Sequence, residues 1–403
     1  MLDLVRLLAV LVGILVLLWR RWDLGLVLLL ASAAIGLLFG RPILGLLRDG
    51  ADTLADPTTL RLVGTVVLIL VLGALLKSTA QLDGLVRALK ALMPDGRVAL
   101  AFIPALIGML PMIGGAVFSA PMVEEVGNHM QVDRNRKTYV NYWFRHVWEW
   151  VLPVYPTFIL VAALVNVTPR DLALSQWPFF VAAVAVGVPI GLWPIPRQTD
   201  PASSGLSRNG NLRLLIDSVW PIALVIVLSV VLNVDLILSL LATILLMLVI
   251  KRLGPRRTWD IFRQGVQLKL VLVIVSVMFF QQVLESTGAV DEIPNALTSA
   301  GVPKPIILFF LPMLPGLLTG LAPGAFGIAI PVVLPLLTAS GVDMGSVALA
   351  YAGGFLGVLL SPMHLCFSLS REFFGADWGP VYRMLVPSVM VLAAVGALLY
   401  VVL

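Results

Sequence analysis

Leu-Lys-Ser-Thr-Ala-Gln-Leu-Asp at positions 76–83 returns as Leu-Glu-Ser-Thr-Gly-Ala-Val-Asp at 284–291, so Ser78, Thr79 and Asp83 match Ser286, Thr287 and Asp291 at a spacing of 208. The register continues. Ala88 and Leu89 answer to Ala296 and Leu297, Pro104 to Pro312 and Pro121 to Pro331, while Tyr142, Pro153 and Phe158 answer to Tyr351, Pro362 and Phe367, the offset drifting only to 210. Apolar composition alone does not keep polar and proline landmarks aligned over such a length. In a membrane protein an internal duplication is the ground plan of secondary transporters, with the substrate held between the halves.

That the chain belongs in a membrane follows from 60% hydrophobic and 12% charged residues and a mean hydropathy of +1.02. Soluble domains carry about 25% charged residues. The first apolar stretch, Leu4 to Trp19, is followed by Arg20 and Arg21 with no small-residue cleavage site, so it is expected to remain as a helix. The net charge of +5 does not point to nucleic acid, because Lys and Arg lie in short loops between spans. The single cysteine, Cys366, excludes an internal disulfide and a multi-cysteine metal site. No nucleophile motif, Gly-Lys-Ser phosphate loop or nucleotide domain is present, so neither an enzyme nor an ATP-driven pump is expected.

A bilayer core takes about 20 apolar residues per helix. Spans are predicted at 3–19, 24–40, 59–76, 139–165, 175–193, 215–232, 234–250, 267–285, 344–370 and 381–402, five per half. Between the third and fourth of each half lies an apolar stretch, 98–130 and 304–339, broken at its centre by Gly and Pro. Neither arm is long enough to cross alone, so each reads as a re-entrant hairpin, tolerated at membrane depth only inside protein or beside a water-filled cavity. Short interfacial helices are expected at 42–55, 81–92, 255–265 and 289–299.

Five spans is an odd number, so the second half starts on the opposite side and the repeats are inverted. The fold class is therefore an all-α polytopic membrane protein of two inverted repeats, each with five spans and one hairpin, and with proline-broken fourth and ninth spans. Residues 1–195 form the first repeat (scaffold 1–92, transport part 97–195), 196–213 a cytoplasmic linker, and 214–403 the second (scaffold 214–299, transport part 303–403). With both termini extracytoplasmic, 20 of 27 basic residues fall inside, six outside and Arg145 within the membrane, as the positive-inside rule requires.

Chemistry is expected first at the hairpin tips, 110–116 with Gly114, Gly115 and Ala116, and 319–325 with Thr319, Pro323, Gly324 and Ala325. Gly permits the turn and Pro starts a helix without losing a bonded amide. Each tip thus offers a helix start whose amides and dipole hold an anion; the plainer alternative is glycine serving helix packing. The breaks around Pro153 and Tyr155, and around Ser361, Pro362 and His364, should free the carbonyls of residues 149–152 and 358–361 for a coupling cation. Arg145 and Glu149, four apart, share a helix face with His146 alongside. They serve either as an internal ion pair or as an anion contact (Arg145) with a proton carrier (Glu149 or His146), and His364 is a further proton-carrying candidate. His146-x-x-Glu149 with His129 or His364 makes only a weak metal pattern, because zinc takes three or four ligands of defined geometry, so no metal is expected.

Two inverted halves, each with three spans, a hairpin, a broken span and a last span, resemble the ion transporter superfamily of divalent-anion/sodium symporters, citrate transporters, gluconate permeases and tripartite-transporter large subunits. The run Pro111 to Pro121 (Pro-Met-Ile-Gly-Gly-Ala-Val-Phe-Ser-Ala-Pro) looks like an uncharacterised prokaryotic branch of it. The resemblance implies substrate and sodium sites at Gly114, Gly115, Pro153, Gly324, Pro362 and their neighbours. It also implies a homodimeric scaffold of spans 1–3 and 6–8, elevator motion, and a place in the prokaryotic inner membrane. The dicarboxylate branch carries Ser-Asn-Thr at its tips, whereas these read Gly-Gly-Ala and Pro-Gly-Ala, which shifts ligation toward backbone groups. The expected activity is transport of a small organic anion coupled to Na+ or H+. The rivals are a lipid or polyprenyl-phosphate flippase, a channel-like member that conducts without coupling, and an intramembrane metalloenzyme.

Overall fold

A computed structural model describes residues 2–79, 81, 88, 95–109, 115–197, 208–289, 296, 298–339 and 341–403. Among the described residues the chain is all-helical, and six helices are long and apolar enough to cross a membrane: Pro57–Ser78, Pro169–Leu192, Asn209–Val231, Leu268–Thr287, Met344–Phe374 and Trp378–Val402. Six shorter apolar helices accompany them. The molecule is thus built as a polytopic membrane protein.

The first half runs α1 (Leu2–Trp19), α2 (Leu24–Leu38), α3 (Ile43–Ala55), α4 (Pro57–Ser78), α5 (Gly96–Gly108), α6 (Ala116–His129), α7 (Arg134–Arg145), a 3-10 turn (Val147–Trp150), α8 (Pro156–Leu164) and α9 (Pro169–Gly187, continued as a π-helix to Leu192). The second runs α10 (Arg208–Ile226, continued as a π-helix to Val231), α11 (Leu236–Ile250), α12 (Pro255–Gly265), α13 (Leu268–Thr287), α14 (Lys304–Thr319), α15 (Ala322–Thr338), α16 (Met344–Leu360), α17 (Leu365–Phe374) and α18 (Trp378–Val402). Helices stand at two of the four positions expected for short interfacial helices, as α3 and α12; those at 81–92 and 289–299 lie largely outside the described residues. Asp side chains start many of the helices: Asp23, Asp56, Asp95, Asp133, Asp235 and Asp343 each accept first-turn amides, satisfying donors that no intrahelical carbonyl reaches.

Two packing groups follow. In one, α2 lies on α13, α4 on α11 and α12, and α3 on α13. The Ser-Thr pairs that open the sequence argument close α4 and α13 in the same way, Thr79 Oγ1 donating to Leu75 O (2.7 Å) and Thr287 Oγ1 to Val283 O (2.6 Å). Each closed end meets the amphipathic helix of the other half: Arg257 of α12 donates to Ser78 O (3.3 Å), and Ser286 Oγ to Asp49 of α3 (3.1 Å). In the other group α5 lies on α7, α14 on α16, α15 on α8, and α17 on α6 and α7.

Glycine lets the second group close up. An added Cβ at Gly108 would overlap the Arg145 carbonyl, and one at Gly316, 208 positions on, the Gly354 carbonyl. Gly353 and Gly357 bring α16 equally close to the Phe309 and Met313 carbonyls. Between helices in lipid, where apolar transfer gives no drive, such close approach is the main source of association.

Candidate functional site

Both broken helices interrupt in the middle of this second group, with different geometry. The first is expected to bend at Pro153, but α7 already stops at Arg145; His146 caps it, a 3-10 turn follows, and α8 restarts at Pro156 with Tyr155 extended before it. The second is short: α16 ends at Leu360, Ser361 turns out at ψ 126°, and His364 leads into α17. Ser361 Oγ accepts the Met363 amide (3.1 Å), and Ser368 Oγ donates to Pro362 O (2.9 Å).

Of the carbonyls expected to be freed, those of Glu149, Leu152, Val358, Leu359, Leu360 and Ser361 accept from tyrosines or turn amides. Tyr142 OH donates across the halves to Leu359 O (2.9 Å), and Tyr351 OH donates back to Glu149 O (2.7 Å). Tyr382 OH takes Leu360 O (2.8 Å), while the Ser361 and His364 amides take Val358 O and Ser361 O. Buried backbone carbonyls left without donors would cost about 1–3 kcal/mol each. A cation at these atoms therefore shares them with hydroxyls or amides through the second lone pair.

The ionisable residues expected here do converge. Arg145 and His146 are each 2% exposed. The Arg145 guanidinium lies against Gly115, where an added Cβ would collide with it, at the start of α6. Arg145 Nη1 is 4.0 Å from Glu149 Oε1, a loose contact because Glu149 sits in the 3-10 turn and not on a continuous helix face. His146 Nε2 is 3.8 Å from the same carboxylate and 3.0 Å from His364 Nε2, 218 residues away in sequence. Asn141 draws three elements together here, donating to Ala116 O of α6 (3.2 Å) and to Ser370 Oγ of α17 (2.8 Å). Tyr155 OH donates to Gly108 O, and Tyr142 stacks on Phe367 with ring centroids 4.8 Å apart.

The second hairpin reaches the same centre through a residue outside the expected set. Gly320, at φ +64°, caps α14, accepts His364 Nδ1 on its carbonyl (2.7 Å), and lies so close to the Met363–His364 backbone that a Cβ would not fit. Leu321 starts α15 without a side-chain cap, Pro323 occupies its first turn, and Thr319 Oγ1 accepts the Leu321 amide (3.1 Å). Gly324 faces Thr319 and Leu24, and Ala325 is fully buried. Of the first tip, Gly115 and Ala116 are in place, while Gly114 lies outside the described residues.

A separate cleft of 590 Å³ opens between α4, the α8–α9 turn and the α10–α11 turn, lined by Arg61, Asn166, Arg170, Asn233 and Asp235 among others. Arg61 is paired there with Asp235. It has none of the central residues in its wall.

The residues missed from sequence are Gly108, Gly320, Tyr142, Tyr351 and Cys366. The signal for three of them was present: Tyr142 and Tyr351 stand in matched register, as do Gly108 and Gly316.

The sequence profile of the family described as protein of unknown function (DUF401) matches residues 3–403, and the chain belongs to that family. No curated protein matches it.

Proposed function

We propose that this DUF401 chain is a secondary active transporter of a small organic anion, coupled to Na+ or H+ and working by elevator-type alternating access. The observation that carries the reading is a buried guanidinium, Arg145, seated against Gly115 at the start of a short helix, where two hairpins and two broken helices meet. A cation at a helix start sums its own charge with the amides and dipole there, an environment suited to a carboxylate. Buried charge in a membrane protein costs several kcal/mol and marks function by default.

The order of elements is the same in both halves. The exchanged tyrosines and the matched Gly108 and Gly316 contacts support two repeats related by a pseudo-two-fold axis, inverted in topology. In this reading α1–α4 and α10–α13 make a homodimeric scaffold in the prokaryotic inner membrane, and the hairpins and broken helices carry substrate across it. Pairs such as Arg61–Asp235 and Lys304–Asp343 on one side, and Lys251–Asp217 and Arg134–Asp377 on the other, join residues that this topology places together.

The test is thermal stability of the purified protein against small carboxylates, sugar acids, sulfonates and phosphates, each with Na+ or K+. A stabilising acid whose effect disappears in Arg145→Gln is the expected result. No shift with any soluble anion overturns it in favour of a lipid substrate. For topology, a cysteine at Val342 in a Cys366→Ser background should label from outside and one at Asn209 only from the cytoplasm; the reverse pattern sinks the assignment.

A further inference from the structure

Where the two breaks meet, one ring nitrogen each of His146 and His364 and the Sγ of Cys366 lie within 4.8 Å of one another. The sequence pattern held only one His-x-x-Glu element, and the second element comes from the other half of the chain. Backbone carbonyls only accept hydrogen bonds. His146 Nδ1 faces Tyr142 O at 2.6 Å and His364 Nδ1 faces Gly320 O at 2.7 Å, so both Nδ1 atoms carry their protons. The two Nε2 lone pairs are thereby aimed at each other across 3.0 Å, an arrangement that repels unless an electrophile lies between them. Locking one ring nitrogen on a carbonyl so that the other is free to ligate is how metal-binding histidines are oriented.

We propose that His146, His364 and Cys366 bind one transition-metal ion of the Zn2+ type, with Glu149 positioned as fourth ligand. Two imidazole nitrogens on a tetrahedral zinc, at about 2.0–2.1 Å each, stand roughly 3.3 Å apart; the observed 3.0 Å needs only a small opening. A zinc–thiolate bond is about 2.3 Å, so Sγ, within 4.8 Å of the ring nitrogens as it stands, has to move in as the ion binds. Glu149 Oε1, 3.8 Å from His146 Nε2, borders the same point. A divalent ion, one thiolate and one carboxylate sum to zero among themselves, with the buried Arg145 guanidinium 4.0 Å from Glu149 as a positive charge beside them. A single shared proton would satisfy the nitrogen pair alone, whereas one ion engages both nitrogens, the thiolate and the neighbouring carboxylate together. Because His146 follows α7 while His364 and Cys366 flank the start of α17, the ion clasps one broken helix to the other. The site stands whether or not an organic anion is carried.

The experiment uses the full-length protein in detergent. Metal content is measured after incubation with Zn2+ and desalting, and the apoprotein is titrated with Co2+ while the thiolate-to-cobalt absorption is followed. One equivalent of metal and a charge-transfer band are expected. Cys366→Ser should remove the band, and His146→Gln and His364→Gln should weaken binding by more than the roughly 10–100-fold that loss of an outer-shell partner costs. His129→Gln, outside the cluster, should leave one equivalent bound. Each variant is first required to be monodisperse, and Cys366→Ser, close to isosteric, keeps the test open where a histidine variant is not. Metal-free wild-type protein that takes up no Zn2+ or Co2+, or binding that survives Cys366→Ser and both histidine variants, overturns the proposal.

Discussion

The two breaks occupy matched places in the chain and are built from different material. The first is long and buried: Pro153 and Val154 are enclosed, and Arg145, His146 and Glu149 put all its ionisable groups into one turn. The second is a four-residue turn whose Pro362 and Met363 are exposed, and its sole ionisable side chain is His364. At the position matching Arg145 the second half has Gly354, and at that matching His146 it has Phe355. What the halves share is packing: a glycine in the front arm of each hairpin presses on the broken helix, and a tyrosine from each crosses to the other's break. What they do not share is charge. Two regions can keep matched close contacts while one alone carries the polar groups, because packing is needed in both and a polar cluster in only one.

The packing half of this comparison is the easiest to break. Gly108→Ala and Gly316→Ala each force a methyl into a backbone carbonyl, and each is expected to lose about 1–3 kcal/mol or more, since overpacking is relieved only by moving the helices apart. Comparable drops in the melting temperature of the purified variants support matched packing; a tolerated Gly316→Ala beside a damaging Gly108→Ala would confine the tight contact to the first half.

Next come the crossed tyrosines. Tyr142→Phe and Tyr351→Phe keep the ring packing and remove the donor to Leu359 O and Glu149 O respectively. Each should cost about 1–3 kcal/mol, the penalty for a buried carbonyl left unsatisfied. In a thermal-unfolding comparison, two small and equal effects below about 0.5 kcal/mol would show that other donors fill in and would remove the tyrosines from the clasp.

A smaller effect is expected where α3 of the first half meets α13 of the second. The hydrogen bond from Arg41 holds the Asp49 carboxyl below its ordinary range, with Ser286 adding to the shift and burial opposing it. A carboxyl whose folded value is depressed adds stability that is present above its unfolded value and lost as pH falls through the folded one. The gap in melting temperature between wild type and Asp49→Asn should therefore be full at neutral pH and close in acid below the ordinary carboxylate range. A gap that widens toward acid would contradict the pairing.

The smallest change serves as the reference: Gly64→Ala in α4, where an added Cβ meets nothing within 4 Å, should be neutral or slightly stabilising. A loss there comparable to that of Gly108→Ala would mean that backbone conformation and not close approach controls these glycines.

Much of the frame was legible from residues alone. Apolar runs of span length and proline and glycine breaks predicted where most of the apolar helices lie, some to within a few residues and others, such as those starting at Pro169 and Arg208, only to within six or seven, because each depends on local composition. The ends were less legible. The predicted fourth span starts at 139, yet α7 begins at Arg134, since Asp133 caps a polar first turn that no hydropathy window includes. The first break begins at His146 instead of Pro153, because its boundary is set by what the side chains of residues 145–149 meet across the interface.

Sequence by itself determined that this is a many-helix membrane chain, with Arg145, His146 and Glu149 close together in one stretch, since burial in lipid constrains composition directly. Tertiary structure alone decided that His146, His364 and Cys366 share one point, that Gly320 supplies the carbonyl orienting His364, and that each break is satisfied by a tyrosine of the other half. Residues more than 200 positions apart leave no local trace of one another. Their meeting is decided by how closely glycine lets the helices approach, a property of the pair and of neither segment alone.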